Sequence, residues 1–255
     1  MILSILQART TSTRLPGKVL KPILGIPMLQ HQIKRVQKSR KIEKLVVATS
    51  DHKSDDNIAN LCKQIGIQCI RGSLHDVLAR FNTAAASFHP QHIVRLTGDC
   101  PLIDSDVIDN VVEFYLRGNY DYASNTIEPT FPHGLDVEVF HFQVLQQING
   151  QAKLPSQREH VTSFIYQHPE LFKVGNYRQK VDLSHLRWTV DELEDFEFVT
   201  KIYENLYCVQ PDFKMDEVMK LLKSFPELSA INRHFSRNEG MEKSLEADRQ
   251  HLEAN

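Results

Sequence analysis

Hydrophobic positions in the first half of the chain alternate between short continuous runs and longer stretches with helical spacing. The continuous runs predict four buried strands, at residues 1–6, 44–49, 67–70 and 92–96. The stretches with helical spacing predict helices, at residues 28–38, in a segment that ends near Gly66, at 74–88 and after Ser105. Strands that alternate with helices predict an α/β fold, with a mostly parallel central sheet and helices on both faces.

The pattern is less regular after residue 120. Residues 134–140 alternate with period two, which predicts a strand with Asp136 and Glu138 on one face. The further predicted elements are a helix at 157–168, strands at 172–180 and 185–191, and helices at 195–206 and 214–224. We expect one domain over residues 1–225, built from halves of about 1–120 and 121–225, and a C-terminal extension over residues 226–255. The extension is expected to be partly disordered, because its last residues are charged and poor in apolar side chains.

The composition is that of a globular protein, with 41% apolar and 24% charged residues in a chain of 255. The first apolar run begins at Met1 and reads as a strand, so we expect no signal peptide. No apolar run approaches the roughly 18–20 residues of a membrane span, and the cysteines form no C-x-x-C pair. These features predict a cytoplasmic protein with reduced thiols, no membrane contact and no structural zinc site. A net charge of −2 does not suggest a nucleic-acid partner.

The charges are distributed unevenly. Residues 1–42 contain nine Lys or Arg residues and no Asp or Glu. We attribute five of them to the solvated face of the first helix, namely Lys34, Arg35, Lys38, Arg40 and Lys41. Arg9, Arg14 and Lys18 differ, because they lie in a loop with four Ser or Thr hydroxyls and a Pro-Gly pair. Arginine forks and a lysine ammonium suit a polyphosphate, although the loop has neither the Walker A pattern nor the dinucleotide glycine pattern.

Two aspartates could complete a site at this loop. Asp99 follows the fourth predicted strand in a Gly-Asp-Cys-Pro turn, and Asp191 ends the predicted strand at 185–191. Loops that leave the carboxyl ends of neighbouring strands face one crevice. Magnesium favours one or two carboxylates together with phosphate oxygens and water, so the pair predicts a Mg²⁺ site. The structural alternatives remain open: a turn or cap aspartate for Asp99, and a cap for the helix that starts near Glu192 in the case of Asp191.

Several blocks of the sequence resemble those of cytidylyltransferases that activate sugars as CMP derivatives. The blocks are Ile5–Lys18, Gly72–Arg80, Arg95–Asp104, Gly134–Val139, Arg158–Thr162 and Arg187–Asp191. The resemblance is greatest to the SpsF type of spore coat polysaccharide biosynthesis. The 3-deoxy-manno-octulosonate cytidylyltransferases (CMP-KDO synthetases) are more distant, and the chain departs from them after residue 105.

The resemblance implies a nucleotide-diphospho-sugar transferase fold of the GT-A type. It also implies a reaction in which an acidic sugar takes CMP from CTP and pyrophosphate leaves, in the synthesis of a surface polysaccharide or glycan. A homodimer built from the irregular region 130–180 is expected by the same analogy.

The resemblance further implies roles for individual residues. The catalytic set is Arg14, Lys18, Asp99 and Asp191, the last two as ligands of Mg²⁺. The nucleotide-binding set is Gln7, Ala8, Arg9, Arg14, Lys18, Asp76, Arg80, Thr97 and Gly98. The residues placed on the sugar side are Asp136, Glu138, Arg158, His160 and Arg187. Each of these five residues is polar and lies close to the end of a predicted element. The alternative to sugar binding is a purely structural role at that position.

Other functions remain open at this point. The chain could be a nucleotidyltransferase that uses another base or a sugar 1-phosphate. It could be a GT-A glycosyltransferase, but the Asp99 turn lacks a D-x-D pattern, which argues against this function. It could also be a nucleotide-binding protein without catalytic activity. The presence of all three loop cations and both candidate metal-binding aspartates argues against this function.

Overall fold

A central sheet with helices on both sides forms the body of the chain, in a computed structural model that describes residues 1–237, 248 and 249. In chain order the elements are β1 (Ile2–Gln7), β2 (Pro22–Ile23), β3 (Ile26–Pro27), α1 (Met28–Val36), β4 (Lys44–Ser50), α2 (Asp56–Gln64), β5 (Gln68–Gly72), α3 (Val77–Ala86), β6 (His92–Thr97), α4 (Ser105–Gly118), β7 (Tyr122–Ser124), β8 (Glu138–His141), α5 (Phe142–Gln151), α6 (Pro155–Glu159), α7 (Ser163–Gln167), β9 (Val174–Asn176), α8 (Leu193–Leu206), α9 (Met215–Ser224) and α10 (Glu227–Ala230). Short 3₁₀ turns lie at Lys18–Leu20, Lys53–Asp55 and Pro169–Leu171.

Within the described residues, seven strands form the sheet in the order β5-β4-β1-β6-β8-β7-β9. The strands β5, β4, β1 and β6 are parallel, whereas β8 is antiparallel to both β6 and β7. This arrangement confirms the predicted mostly parallel sheet. At the carboxyl end of β1, Gln7 is in register with Ala48 of β4 and with Thr97 of β6. The loops after β1, β4 and β6 therefore leave the same edge of the sheet.

In the described part of the chain, an apolar layer covers each face of the sheet. Along β1, Leu6 packs in the layer that contains α1, α2, α4, α8 and α9. Leu3 and Ile5 point the other way, into the layer formed with α3, α5 and α7. Because β1 is covered on both faces, its sequence is a continuous apolar run and not an alternating one. Full burial of a Leu or Ile side chain stabilises a fold by about 1.5–3 kcal/mol, so these layers fix the position of the strand ends.

The helices α8 and α9 confirm the predictions at 195–206 and 214–224, whereas the segment between about residues 120 and 190 differs from its predicted elements. The predicted strand 134–140 is shorter, because the side chain of Asn125 pairs with the backbone of Leu135 and Val137 and occupies their hydrogen-bonding groups. The predicted helix 157–168 is divided into α6 and α7 at Val161, whose φ of 51° breaks the helical path. Of the predicted strand 172–180, β9 forms only the central part.

The predicted strand 185–191 is wrong. One parallel bridge joins His133 to Arg187, and the N–H of Val190 donates to the carbonyl of Asp99 at 2.8 Å. The segment is therefore extended but pairs with two loops instead of a strand. The short elements β2, β3, β7, α5 and α10 did not emerge from the sequence pattern.

The predicted solvated face of the first helix holds for Lys34, which is exposed. Lys38 and Arg40 are also exposed, but they and the half-buried Lys41 follow the end of α1 at Val36. The prediction is wrong for Arg35. The Arg35 guanidinium donates to the carbonyls of Ile103 at 2.7 Å and Phe213 at 2.9 Å, and it lies 4.3 Å from the centre of the Phe213 ring. Arg35 therefore joins α1 to the loop before α9, and its apolar stem packs in the fold as long cationic side chains often do.

The first part of the predicted C-terminal extension packs on the domain. Asn232 is buried, and its amide donates to the carbonyl of Arg187 at 3.0 Å and to the carboxylate of Asp195 at 2.8 Å. The expected fraying of the last fifteen or so residues lies outside the described residues, apart from Asp248 and Arg249. Among the described helices, none is long and apolar enough to cross a membrane.

Candidate active site

A cleft of about 540 Å³ opens at the edge of the sheet where β1 and β6 end. The predicted site residues that line it are Gln7, Ala8, Arg9, Arg14, Lys18, Arg80, Thr97, Gly98, Asp99, His160 and Asp191. The glycine at 98 is required by packing, since a Cβ atom there would lie 2.9 Å from the carbonyl oxygen of Gln7. The close approach of these two strand ends forms the floor of the cleft.

Lys18 lies between the two predicted metal ligands. Its ammonium is 2.8 Å from Oδ1 of Asp191 and 3.5 Å from Oδ2 of Asp99, and it donates to the carbonyl of Val190 at 2.7 Å. Because both oxygens contact the same nitrogen, they lie close to each other. Both carboxylates therefore face the same ammonium group in the cleft.

The charges in this cluster stabilise one another. Burial alone would lower the pKa of Lys18, but Asp99 and Asp191 raise it above its usual value. Burial alone would raise the pKa of Asp99, but the Lys18 charge and hydrogen bonds from Thr97 and Cys100 lower it to about 2. At neutral pH the lysine is therefore protonated and Asp99 is ionised. Two adjacent carboxylates without a cation raise each other's pKa, but the pKa of Asp99 is lowered because the Lys18 ammonium contacts both carboxylates.

Asp191 presents its carboxylate to cations and not to the start of α8. The Asp191 carboxylate is 3.1 Å from Arg14 and 3.3 Å from Arg187, in addition to its contact with Lys18. The backbone N–H groups of Asp191 and Glu192 donate instead to the Asp195 carboxylate, both at 2.9 Å. The structural alternative, in which the Asp191 side chain caps the helix, therefore does not hold.

Arg187 lies behind Asp191 and does not line the cleft. Its guanidinium forms a bidentate ion pair with the fully buried Asp195, with both nitrogen–oxygen distances at 2.8 Å. The same guanidinium also donates to the carbonyl of Ser236 at 3.0 Å. Bidentate pairs of this kind fix geometry as well as charge. The structure thus gives Arg187 contacts that hold Asp191 in place.

The two arginines of the basic loop have different neighbours. Arg14 pairs with Asp191 at 3.1 Å and with Glu192 at 3.2 Å, so it belongs to the carboxylate cluster. Arg9 pairs with Glu159 at 3.4 Å, and both of these side chains are about 42% exposed. An ion pair with this much exposure contributes little to stability, so Arg9 is available to a ligand at low cost.

Arg80 and His160 are two further polar side chains that line the cleft. Arg80 is buried and donates to the carbonyl of Ser73 at 2.7 Å, while its Nε has no partner among the described residues. Burial and the nearby Arg9 lower the pKa of Arg80 to about 10. Burial also lowers the pKa of His160, which keeps that imidazole neutral at pH 7. Arg80 and His160 thus place one charged and one neutral polar side chain along the cleft.

The other predicted site residues do not line the cleft, although all lie within the described range. Asp76 caps α3 by accepting the N–H of Ala79 at 2.9 Å, and it pairs with Arg158 at 2.5 Å. Asp136 pairs with Arg237 at 2.8 Å. These contacts fit the alternative in which Asp76, Arg158 and Asp136 have a structural role and do not bind substrate.

Glu138 is buried beneath the cleft. It pairs with Arg95 and accepts hydrogen bonds from Tyr122 at 3.0 Å and from Thr162 at 2.5 Å. Arg95 itself lines the cleft, although the sequence prediction omitted it. The signal was present, since Arg95 is a charged residue within an otherwise apolar predicted strand. Val77 also lines the cleft and was missed. The hydroxyls at 11–13, which were noted from the sequence in the basic loop, line it too, as does Glu159.

Comparisons with known proteins show which family this chain resembles. The family model for Cytidylyltransferase matches residues 3–246. The spore coat polysaccharide biosynthesis protein SpsF of Bacillus subtilis is 35% identical over 233 residues, which are 89% of this chain and 95% of the relative. A 3-deoxy-manno-octulosonate cytidylyltransferase of Trichlorobacter lovleyi is 34% identical over 129 residues, 50% of this chain and 49% of its own.

The solved structures give the same result. The structure of a cytidylyltransferase from Leptospira borgpetersenii has a TM-score of 0.86 and 32% identity, covering 92% of this chain and 99% of its own. This similarity confirms the nucleotide-sugar transferase fold that the sequence blocks implied. The sequence matches confirm the resemblance to the SpsF type and, over about half the chain, to CMP-KDO synthetases. The chain belongs to the cytidylyltransferase family.

Proposed function

We propose that this chain transfers CMP from CTP to an acidic sugar and releases pyrophosphate, in the synthesis of a surface polysaccharide or glycan. The observation that carries the proposal is the cluster in which the Lys18 ammonium joins Asp99 and Asp191 beside the basic loop. A protonated lysine, two carboxylates and two arginines at one edge of the sheet suit a triphosphate and a cation. The match to the Cytidylyltransferase family supports CTP as the nucleotide.

The chain's own residues act in this reaction by position and charge. A sugar hydroxyl attacks the α-phosphorus of CTP in line, so most of the catalysis comes from holding the two reactants in that geometry. Arg14 and Lys18 neutralise charge on the departing pyrophosphate, since fixed cations in a partly buried site are already oriented. Asp191, fixed through Arg187 and Asp195, keeps Arg14 and Lys18 directed into the cleft.

The proposed metal is Mg²⁺, held by Asp99 and Asp191. No group of three or more His, Cys, Asp or Glu side chains that could hold a metal occurs in the described part of the chain. Two carboxylates alone suit Mg²⁺, which takes one or two protein carboxylates and completes its shell with phosphate oxygens and water. When bound, such an ion neutralises phosphate charge and activates the attacking oxygen.

We expect Arg14→Ala to lower turnover by roughly 10²-fold, the typical scale for losing one charge-stabilising donor. Pyrophosphate release under saturating CTP measures the effect. Lys34→Ala is the matched control, because Lys34 is an exposed cation of the same N-terminal segment and lies outside the cleft. Arg35 is unsuitable as a control, although the sequence placed it on a solvated helix face, because it contacts Ile103 and Phe213. Equal losses in both variants would show that the segment acts only through its general positive field.

We expect CTP with magnesium to raise the melting temperature more than ATP, GTP or UTP does. A ligand that binds only the folded state stabilises it by RT ln(1 + [L]/Kd), which is about 2.7 kcal/mol at a hundredfold excess over Kd. Differential scanning fluorimetry with the four nucleotides at one concentration measures the difference. Equal shifts would contradict a cytidine-specific site and favour the alternative of a nucleotidyltransferase with another base. The homodimer and the cytoplasmic location stay predictions.

A further inference from the structure

The basic loop after β1 is tied to the rest of the fold through one carboxylate that the sequence did not single out. Asp55 is fully buried in the 3₁₀ turn between β4 and α2. Its Oδ1 accepts hydrogen bonds from the N–H of Thr10 at 2.8 Å and from the Thr10 hydroxyl at 2.7 Å. Its Oδ2 accepts from the N–H of Ser50 at 3.2 Å and from the Ser50 hydroxyl at 2.5 Å. Asp55 therefore joins the loop to the carboxyl end of β4.

Thr10 also forms a backbone hydrogen bond with the far end of the loop. The carbonyl of Thr10 accepts a hydrogen bond from the N–H of Gly17 at 2.9 Å. Gly17 has a φ of 69°, a conformation that favours glycine, and it directly precedes Lys18. Arg9 directly precedes Thr10. The contacts from Asp55 through Thr10 to Gly17 thus fix the backbone next to both cations.

The chemistry of these contacts requires an ionised carboxylate. Burial alone would raise the pKa of Asp55, but the hydrogen bonds from Ser50 and Thr10 lower it. Every partner named above is a donor, and an ionised carboxylate is acceptor only. An asparagine in its place offers one acceptor oxygen and directs an NH₂ group at either Thr10 or Ser50. Asp55→Asn therefore removes the acceptor for the hydrogen bonds from either Thr10 or Ser50.

We propose that Asp55 is a positioning residue, which holds the loop of Arg9, Arg14 and Lys18 in the conformation that binds a triphosphate. A loop that is ordered before binding loses less conformational entropy when the ligand arrives. The inference rests on the proposed function only in that the loop binds phosphates; it does not depend on the nucleobase. Asp55 does not line the cleft, so it acts through the loop backbone and not on the ligand.

The test measures binding of inorganic tripolyphosphate by isothermal titration calorimetry, so that no nucleobase contributes. The variants are Asp55→Asn, Thr10→Val and Thr10→Ser. Valine keeps the shape and the backbone N–H of Thr10 but removes its hydroxyl, whereas serine retains the hydroxyl. We expect Asp55→Asn and Thr10→Val to weaken binding by roughly 10- to 100-fold, the range found for groups that orient the ligands of a metal. Thr10→Ser should bind with close to wild-type affinity.

Asp109→Asn is the matched control. Asp109 is also a buried carboxylate that anchors a loop, accepting from the Ser39 hydroxyl at 2.5 Å and from the N–H of Arg40 at 3.0 Å. It lies in α4 and outside the cleft, so its variant should lose stability without losing tripolyphosphate affinity. If Asp55→Asn does not fold, the comparison of Thr10→Val with Thr10→Ser decides alone.

The inference is overturned if Thr10→Val binds tripolyphosphate as tightly as the wild type does. It is also overturned if Asp109→Asn weakens binding as much as the Asp55 and Thr10 variants, or if the wild-type protein does not bind tripolyphosphate. A failure of the proposed function has a different signature. Equal wild-type affinities for CTP and UTP would contradict the cytidylyl proposal and leave the difference between Thr10→Val and Thr10→Ser unchanged.

Discussion

Replacing Asp99 or Asp191 by asparagine is expected to lower turnover by on the order of 10³-fold or more, above the usual loss for one neutral donor. Each change removes one of the two anions that face the Lys18 ammonium and one proposed ligand of Mg²⁺. A neutral amide is a poor replacement, because magnesium favours carboxylate oxygens. Pyrophosphate release with CTP and an accepted sugar measures the loss.

The same variants should be slightly less stable, although repulsion between two acids would predict the opposite. Lys18 is nearly buried and contacts both carboxylates, so each substitution leaves its ammonium with weaker partners. A hydrogen bond to a charged group contributes about 1.5–3 kcal/mol, and the amide oxygen keeps part of it. Asp212→Asn is the control, since Asp212 is 67% exposed and remote from the cleft. Turnover of Asp99→Asn close to that of Asp212→Asn would exclude Asp99 from the chemistry.

The largest effect on stability is expected for Asp195→Ala, which should lower the free energy of unfolding by about 3–5 kcal/mol, the usual loss when one partner of a buried ion pair is removed. Asp195 is fully buried and pairs with Arg187 through both of its oxygens. Its removal also leaves the N–H groups of Asp191 and Glu192 without their acceptor. Urea denaturation followed by circular dichroism measures the change.

Glu204→Ala is the matched control for this stability prediction. Glu204 is also an acid of α8 in an ion pair, with Lys201 at 3.0 Å, but both side chains are more than 40% exposed. Exposed pairs contribute roughly 0–1 kcal/mol. A loss in Asp195→Ala no greater than that in Glu204→Ala would mean that the Arg187 cluster does not hold the Asp191 loop.

The first half of the fold could be predicted because its strands are short continuous apolar runs, which are typical of strands buried on both faces. The strands β1, β4 and β6 are buried on both faces, and their order along the chain placed the basic loop and Asp99 at one edge. The cations Arg14 and Lys18 were also recognisable, because a loop with several cations and no acid is difficult to explain by packing alone. The local sequence therefore contained most of the information for this side of the cleft.

In the second half, the helices α8 and α9 could be predicted from their spacing, but the segment between about residues 120 and 190 could not, because its backbone pairs with side chains and loops. The Asn125 amide bonds to Leu135 and Val137 in place of a neighbouring strand. Val161 has a positive φ that its β-branched side chain disfavours. The helical spacing around it gave no sign of the break. Tertiary contacts overrode local pattern at both positions.

The roles of individual charged residues depend on partners that the sequence does not reveal. Arg35 and Arg14 are both arginines of the basic N-terminal segment, but Arg35 bonds to carbonyl groups of the fold and Arg14 to the cleft carboxylates. Arg187 was placed on the sugar side by resemblance, whereas it pairs with Asp195 beneath the site. Spacing along the chain cannot distinguish such pairs, because their partners come from other loops.

Pyrophosphate release from each nucleoside triphosphate with magnesium, across a panel of acidic sugars and sugar 1-phosphates, distinguishes CMP transfer to an acidic sugar from the other reactions. We expect release from CTP with at least one acidic sugar, weak or no release from the other nucleotides, and loss of activity in Asp99→Asn. Release from UTP or dTTP with a sugar 1-phosphate, and none from CTP with any sugar, would contradict this expectation.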